Sequence, residues 1–415
     1  MNIRRSAATL AAATVVLGAA VPAVAATPSP TPTVAIPEGL YGTADPTYDG
    51  VWRQSLALLA QRTTGVTPAA GAVAWLTGQQ CANGAFAAFR ADPAKACDAK
   101  LMVDTNSTAA AVQALAALGG HGAATDKAVG WLKSVQNADG GWGYTPGGAS
   151  DANSTSVVAG ALAATGQQPS QVKKAGKSPN DALAKLALPC DDAAGGGAFA
   201  YQPDKKGALA ANADATAAAV LGLLGKGFVT NAGKPSTAPH ACGDSSAPLA
   251  PSELARNGSQ YLASSVGGAG YLKSVLPGAQ DQPDYGNTAD AVVALAAQGW
   301  TEQARKPLAW LQQHSQAWAK QSGPAAYAQL IFAARAMGAD PRHFGGADLV
   351  ALLNATGPAP QAATKAAGAD DDAAKSDKSE SDSAVGVWWI VGVFLVAGVG
   401  IGLLLSGRGR KRRQP

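Results

Sequence analysis

Between Tyr48 and Thr356 the chain alternates two patterns of hydrophobic and polar positions. The first is apolar on nearly every side, as in Ala109–Leu118 and Ala289–Ala297. Such stretches lie inside sixteen-residue runs that share a beginning and an end. Asp104-Thr-Asn-Ser-Thr108 opens a run closing at Gly119, and Asp151-Ala-Asn-Ser-Thr155 one closing at Gly166. Asn212-Ala-Asp-Ala-Thr216 leads to Gly227, and Asp284-Tyr-Gly-Asn-Thr288 to Gly299. Each starts with helix N-cap chemistry and finishes on a C-cap glycine. A fifth run, Gly323–Gly338, keeps the length but has Tyr327 in place of the threonine. The second pattern is amphipathic: Gly71–Gln80, Lys127–Gln136, Asp181–Leu188, Ser252–Ser265 and Gln303–Gln313. Four of these carry an aromatic–aliphatic pair, namely Trp75-Leu76, Trp131-Leu132, Tyr261-Leu262 and Trp310-Leu311. With Val51–Gln61 before them and Gly346–Leu353 after, about twelve helices alternate. A helix apolar all round is buried, and one with a single apolar face lies at the surface. The pattern predicts an all-α body with an inner and an outer set of helices.

Turn chemistry sharpens the picture. After Lys127–Gln136 come Asp139-Gly140-Gly141, which supply the positive φ of a sharp reversal, and then Trp142. Lys127, Trp131, Gln136, Gly140 and Trp142 together match, position for position, the QW repeat of the squalene-hopene cyclase and prenyltransferase superfamily. The chain resembles that superfamily, and the resemblance implies an α/α toroid of about six inner and six outer helices. It also implies that the five residues are a structural clamp rather than catalytic groups. The pattern persists in Trp75, Gln80 and Gly84-Ala85-Phe86. It decays in Gly195–Phe199, in Gly267–Tyr271, and in a last repeat that keeps Lys306.

Both termini point to the cell envelope. Residues 1–26 read as a signal peptide, with Arg4 and Arg5, an apolar run Ala7–Ala20 and an Ala23-Val24-Ala25 cleavage site; retention as an N-terminal anchor is the alternative. Residues 27–47 form a Thr/Pro-rich linker, residues 48–356 the toroid and residues 357–383 a polar stalk. Residues 384–405 are uncharged and long enough to span a bilayer. The tail 406–415 carries Arg408, Arg410, Lys411, Arg412 and Arg413, which places it in the cytoplasm and the toroid outside. This topology changes the reading of the formal charge of +4. Without Arg4, Arg5 and the five tail cations the exterior part is acidic, so nucleic acid is not an expected partner. The four cysteines all fall in the exported body, which suits disulfides. Cys81–Cys97 and Cys190–Cys242 are the expected pairs among three possible pairings.

Candidate chemistry follows from the shared direction of the inner helices, which gathers their N-caps at one end. Asp104, Asn106, Asp151, Asn153, Asn212, Asp214, Asp284 and Asn287 then rim one mouth, either as a ligand site or as caps alone. Phe86, Tyr144, Phe199 and Tyr271 lie on the connecting turns. The Asn-Ser-Thr triplets at Asn106 and Asn153 are formal glycosylation sequons that coincide with the capping repeat. No catalytic residue is assigned: the body lacks the Asp-x-Asp-Asp of protonating cyclases, Asp191-Asp192 sits in a loop beside Cys190, and aromatics are 6% of residues. No metal or cofactor is expected. His240-Ala-Cys242 is an isolated pair rather than a zinc site, and the Cys-Gly-Glu-Gln of thioester proteins is absent. In export, cysteines and missing catalysis the chain resembles carriers of the intrinsic factor and transcobalamin type, although no β-rich domain follows the toroid. The expected function is a membrane-anchored extracytoplasmic binding protein. It would capture a small molecule, cobalamin-like or other, or an envelope ligand, and hand it to a transporter partner. The alternatives are an enzyme on isoprenoid or lipid-like substrates and a surface adhesion or scaffold module.

Overall fold

A computed structural model describes residues 34–235, 241–244, 248–275 and 282–362. The expected signal peptide, transmembrane segment and cytoplasmic tail lie outside the described residues, as does most of the stalk. Among the described residues, no helix is long and apolar enough to cross a membrane.

The protein is all-α. In chain order the helices are α1 (Gly50–Thr63), α2 (Ala70–Gly78), α3 (Thr105–Leu118), α4 (Gly122–Ser134) and α5 (Ala152–Ala164). These are followed by α6 (Pro179–Ala184), α7 (Ala213–Leu223), α8 (Pro251–Gly267) and α9 (Tyr285–Ala297). The last are α10 (Thr301–His314), α11 (Gln316–Ser322), α12 (Pro324–Ala336) and α13 (Leu349–Asn354). The apolar helices are almost wholly buried: α3 from Thr105 to Leu115, α5 from Ala152 to Ala163, α9 from Thr288 to Ala297. Each packs on two of its own kind, in the order α1, α3, α5, α7, α9, α12, and α12 returns to α1. The six therefore close a ring. The amphipathic helices lie against it, α4 on α3, α8 on α7 and α10 on α9.

Two boundaries differ from the expectation. Ser178 and Asp181 form a reciprocal capping box, so α6 starts at Pro179, ahead of the expected Asp181, and stops at Ala184 instead of Leu188. α11 was not anticipated; it is a seven-residue helix between α10 and α12.

Three short antiparallel strand pairs lead into inner helices: β1 (Phe86–Ala87) with β2 (Val103–Asp104), β3 (Phe199–Ala200) with β4 (Ala211–Asn212), and β5 (Leu272–Lys273) with β6 (Pro283–Asp284). The turn before each of these helices, and the one before α5, explains the threonine at the fifth place of each run. The backbone N–H groups of Phe86, Trp142, Phe199 and Leu272 donate to the hydroxyls of Thr108, Thr155, Thr216 and Thr288 at 2.9–3.0 Å. Thr108 and Thr216 in turn donate to the carbonyls of Asp104 and Asn212, at 2.7 and 2.6 Å. One hydroxyl thus joins a Gly-rich turn to the first turn of the next inner helix.

Two residues of the QW stretch hold the turn between them by hydrogen bonds. Trp142 is fully buried, its indole N–H donating to Leu132 O at 2.7 Å, and Gln136 Nε2 donates to Gly140 O at 2.8 Å. Gln80 does likewise in the preceding repeat, reaching Gly84 O at 3.1 Å and Ala124 O at 2.8 Å. Both disulfides, Cys81–Cys97 and Cys190–Cys242, are formed.

The ends of the body meet on α1. Tyr41, expected in the linker, is fully buried; its N–H donates to Gln54 and its hydroxyl to Pro358 O at 2.9 Å. Gly42 N–H donates to Thr356 O, and Gln361 donates to Thr67 O and Pro68 O beyond the C-terminus of α1.

Candidate functional site

At the N-terminal end of the ring, the paired polar residues divide into two groups. The first of each pair is a cap. Asp104 accepts from Ser107 N–H at 2.6 Å, Asp151 from Ser154 N–H at 2.6 Å, Asn212 from Ala215 N–H at 2.8 Å and Asp284 from Asn287 N–H at 3.0 Å. The second residue, two places after the cap, is Asn106 in α3, Asn153 in α5 and Asp214 in α7. These three are buried and do no capping. Asn153 Nδ2 donates to Asp214 Oδ2 at 2.9 Å, bridging neighbouring inner helices. In α9 the equivalent place is Gly286; Asn287 is the next residue along and only donates back to Asp284 at 2.8 Å. The eight expected rim residues are therefore gathered at one end, but Asn287 belongs to its own cap and not to the interior set.

One turn deeper, six residues after the cap, stand Asp290 in α9 and Gln329 in α12. Gln329 Nε2 donates to both carboxylate oxygens of Asp290, at 3.1 and 3.3 Å. Sequence reasoning missed this pair. The signal was present, because an aspartate in the otherwise apolar interior of Ala289–Ala297 is a polar group that must be answered by a neighbour.

The ring is filled from its other end. After α7 the chain turns inward, and Phe228, Val229 and Thr230 are buried. Phe228 packs edge-on to Trp52 of α1 at 5.4 Å between ring centres and stacks near Phe332 of α12 at 6.0 Å. Its N–H donates to Gln113 Oε1 of α3. A segment leaving α7 thus crosses to the opposite side of the ring, where its aromatic ring packs between Trp52 of α1 and Phe332 of α12.

Burial dominates the electrostatics here. Desolvation raises Asp104 and Asp151 to about 6, against the N–H groups of their own caps. It raises Asp214 to about 7, helped by the charges of Asp284 and Asp151 and opposed by Asn153. Asp290 is pushed well above the usual carboxylate range by burial and then by Asp214. Asp284 is raised by burial as well. Tyr144 and Tyr201 are pushed up by burial and by neighbouring carboxylates, Asp104 for the first and Asp151 and Asp214 for the second. Among the described residues at this end, the buried Asn106 Oδ1, Asn153 Oδ1, Asp214 Oδ1, Asp151 Oδ2 and Thr105 Oγ1 have no hydrogen-bond partner, and neither do Trp52 Nε1 of α1 and Ser156 Oγ of α5. An unanswered buried acceptor costs about 1–3 kcal/mol, so the layer is costly as it stands. Among the described residues no group of three or more His, Cys, Asp or Glu is placed to hold a metal ion.

The turn aromatics have separate fates. Phe86 and Phe199 are fully buried, whereas Tyr144 is 38% exposed. Tyr271 packs on Trp310, which stacks with Tyr285, and Tyr285 stacks on Trp318. Two open clefts lie elsewhere, one beside Pro189, Leu249 and Asn257, the other beside Asn137, Lys185 and Pro203; neither includes a residue of the polar end.

No family model matches the chain, and no curated protein matches it. A solved structure described as "Crystal structure of a protein from Actinoplanes" aligns with 74% of this chain and 95% of its own, at 16% identity and a TM-score of 0.47. A likeness of that degree carries no argument about function.

Proposed function

We propose that the body is an α/α toroid of the kind the QW repeat implies, and that it serves as an extracytoplasmic binding module. In this reading a small ligand is held at the N-terminal end of the ring, on the residues two places after each cap. The observation that carries it is the set of buried acceptors without partners on three neighbouring helices, Asn106 Oδ1, Asn153 Oδ1 and Asp214 Oδ1, at the end where Thr105 Oγ1 and Asp151 Oδ2 are unmatched as well. Caps alone require one side chain per helix, and the second residues add desolvation cost without capping. The chain's disulfides agree with an oxidising compartment. Anchoring by residues 384–405 and delivery to a membrane partner complete the proposal. Native mass spectrometry of the protein from its own source tests it. A co-purifying small molecule that Asn106→Ala with Asn153→Ala removes, in a protein that still melts within a few degrees of the parent, supports the reading. Unchanged occupancy with a collapsed melting temperature assigns these amides to the fold alone.

A second reading, an enzyme on isoprenoid-like substrates, draws on one feature. Asp214 and Asp290 are buried acids whose raised pKa values would leave a proton to give near neutral pH. Against it stands Phe228, which occupies the interior that a long apolar substrate would need.

A further inference from the structure

Four cations lie at the C-terminal end of the ring. Arg62 is in the last turn of α1 and reaches Ala117 O near the end of α3; Arg335 is in the last turn of α12. Lys226 follows α7, its N–H donating to Leu221 O at 2.9 Å. Lys234 is held beside the end of α9, where Gly233 N–H donates to Ala296 O at 2.8 Å and Lys234 O lies against Gly299. Arg62, Lys226 and Lys234 are exposed and Arg335 is half-buried. Among the described residues none of the four is in an ion pair. Glu302, Asp340 and Asp348, which follow the ends of α9 and α12, are already engaged with Arg305, His343 and Arg342, at 2.9, 2.7 and 3.8 Å. A cation in the last turn suits the negative end of a helix, which accounts for Arg62 and Arg335. Lys226 and Lys234 lie beyond the last turns and are not accounted for in this way.

The chain leaves the described body at this same end. Gln361 donates from its N–H to Thr67 O at 3.0 Å and from its side chain to Pro68 O at 2.9 Å, just past α1. Eight residues beyond Ala362 the run Asp370-Asp371-Asp372 begins. Residues 363–383 carry six carboxylates against three lysines, and a block of like charge beside a folded body is a common form of interaction tail. At about 3.3 Å per residue, eight residues reach about 26 Å. Packed helices lie roughly 10 Å apart, so a ring of six is roughly 20 Å across between axes. The acidic run can therefore reach any of the four cations.

We propose that Asp370–Asp372 docks on the C-terminal end of the ring, with Lys226, Lys234, Arg62 and Arg335 as its counter-charges. The inference is independent of the ligand reading of the opposite end and of any membrane anchor. A single exposed ion pair is weak. Here three adjacent carboxylates face four unpaired cations, and the short connection supplies a roughly millimolar effective concentration. Exposed charges of this kind are screened by salt, so the contact is salt-sensitive. Once docked, the run leaves only residues 373–383 between the body and residues 384–405, which shortens the tether.

The test is carbodiimide crosslinking of the full-length protein, in mild detergent and in phosphatidylcholine nanodiscs, read by peptide mass spectrometry. The reagent joins a carboxylate to a lysine amine in contact with it and adds no spacer. The expected links run from residues 370–372 to Lys226 or Lys234. They should be severalfold more abundant than links to Lys173 or Lys174, which are also exposed but lie on a turn beside the end of α4. Raising the salt to about 0.5 M should reduce them roughly fivefold or more. Arg62→Gln with Arg335→Gln should reduce them severalfold, although neither arginine reacts with the reagent. If Arg335→Gln does not fold, Arg62→Gln alone should reduce them measurably. Links that persist in high salt and in the arginine variants would show proximity by the tether alone and overturn the docking. Equal links to Lys173 and Lys174 overturn it as well. Loss of the links when phosphatidylglycerol replaces part of the phosphatidylcholine, at unchanged salt, overturns it in favour of lipid head groups as the partner of these cations.

Discussion

Asp214 illustrates how a single side chain sets a measurable property. Its carboxyl is raised to about 7, and Asp104 and Asp151 are raised to about 6, all chiefly by burial. A folded pKa above the unfolded one means that the native state binds the proton more tightly. The stability these groups contribute is complete below about pH 4 and is lost as the pH rises through 6–7. Exposed aspartates such as Asp92 and Asp340 are lowered by hydrogen bonds from their neighbours and act in the opposite sense, but only below the ordinary carboxylate range. The body should therefore melt higher at pH 5 than at pH 8, and Asp214→Asn should flatten that slope, as calorimetry across the range would reveal. A slope unchanged in Asp214→Asn would mean that the carboxyl is hydrated and titrates normally. Trp142 is the opposite case, a residue whose worth is packing. Trp142→Ala should cost about 3–5 kcal/mol, whereas Trp142→Phe should lose the bond to Leu132 and part of the contact, about 1–2 kcal/mol. Urea titrations distinguish these outcomes, and a neutral Trp142→Ala would show that the clamp holds nothing.

At the scale of elements, the repeating unit is a turn fastened to the helix that follows it. Thr155 accepts the N–H of Trp142, so Thr155→Val, nearly the same shape without the hydroxyl, leaves a buried donor unmatched. The expected cost is about 1–3 kcal/mol, to be measured against Thr165→Val, whose hydroxyl only bonds back to its own helix. Gly140 supports the same turn, with φ of 94° and no room for a methyl against Ser178 O, so Gly140→Ala should unfold the repeat locally. Much of this was legible in the chain. The capping residues, the C-cap glycines and the all-round apolar stretches placed α3, α5, α9 and α12 within a few residues, because each is specified by neighbours in sequence. The Asp290–Gln329 pair and the Phe228 insertion were not legible. Each joins elements 39 or more positions apart, and nothing local to either residue states which partner it will find. Asn287 bonds with its own cap, Asp284, because the shared motif of acids and amides hides a shift of one residue relative to Asn106, Asn153 and Asp214.

At the scale of the whole molecule, ring closure makes the last repeat as necessary as the first. α12 packs on α1, and residues 356–361 run along α1 with Tyr41. The two disulfides reinforce different spans, 16 residues for Cys81–Cys97 and 52 for Cys190–Cys242. On a chain-entropy account the second should be worth about 4 kcal/mol and the first about 3. Paired Cys→Ala variants followed by thermal melts would show the larger loss for Cys190 and Cys242; the reverse order would mean that local packing outweighs loop length. The path of the final residues has a further consequence. By Gln361 the chain has reached Thr67, at the C-terminal end of α1, whereas Asp214, Asp290 and Gly286 lie at the N-terminal ends of the helices. The chain therefore leaves the described body at the end away from those residues, so an anchor through residues 384–405, as proposed, would join the body on the side opposite the candidate site.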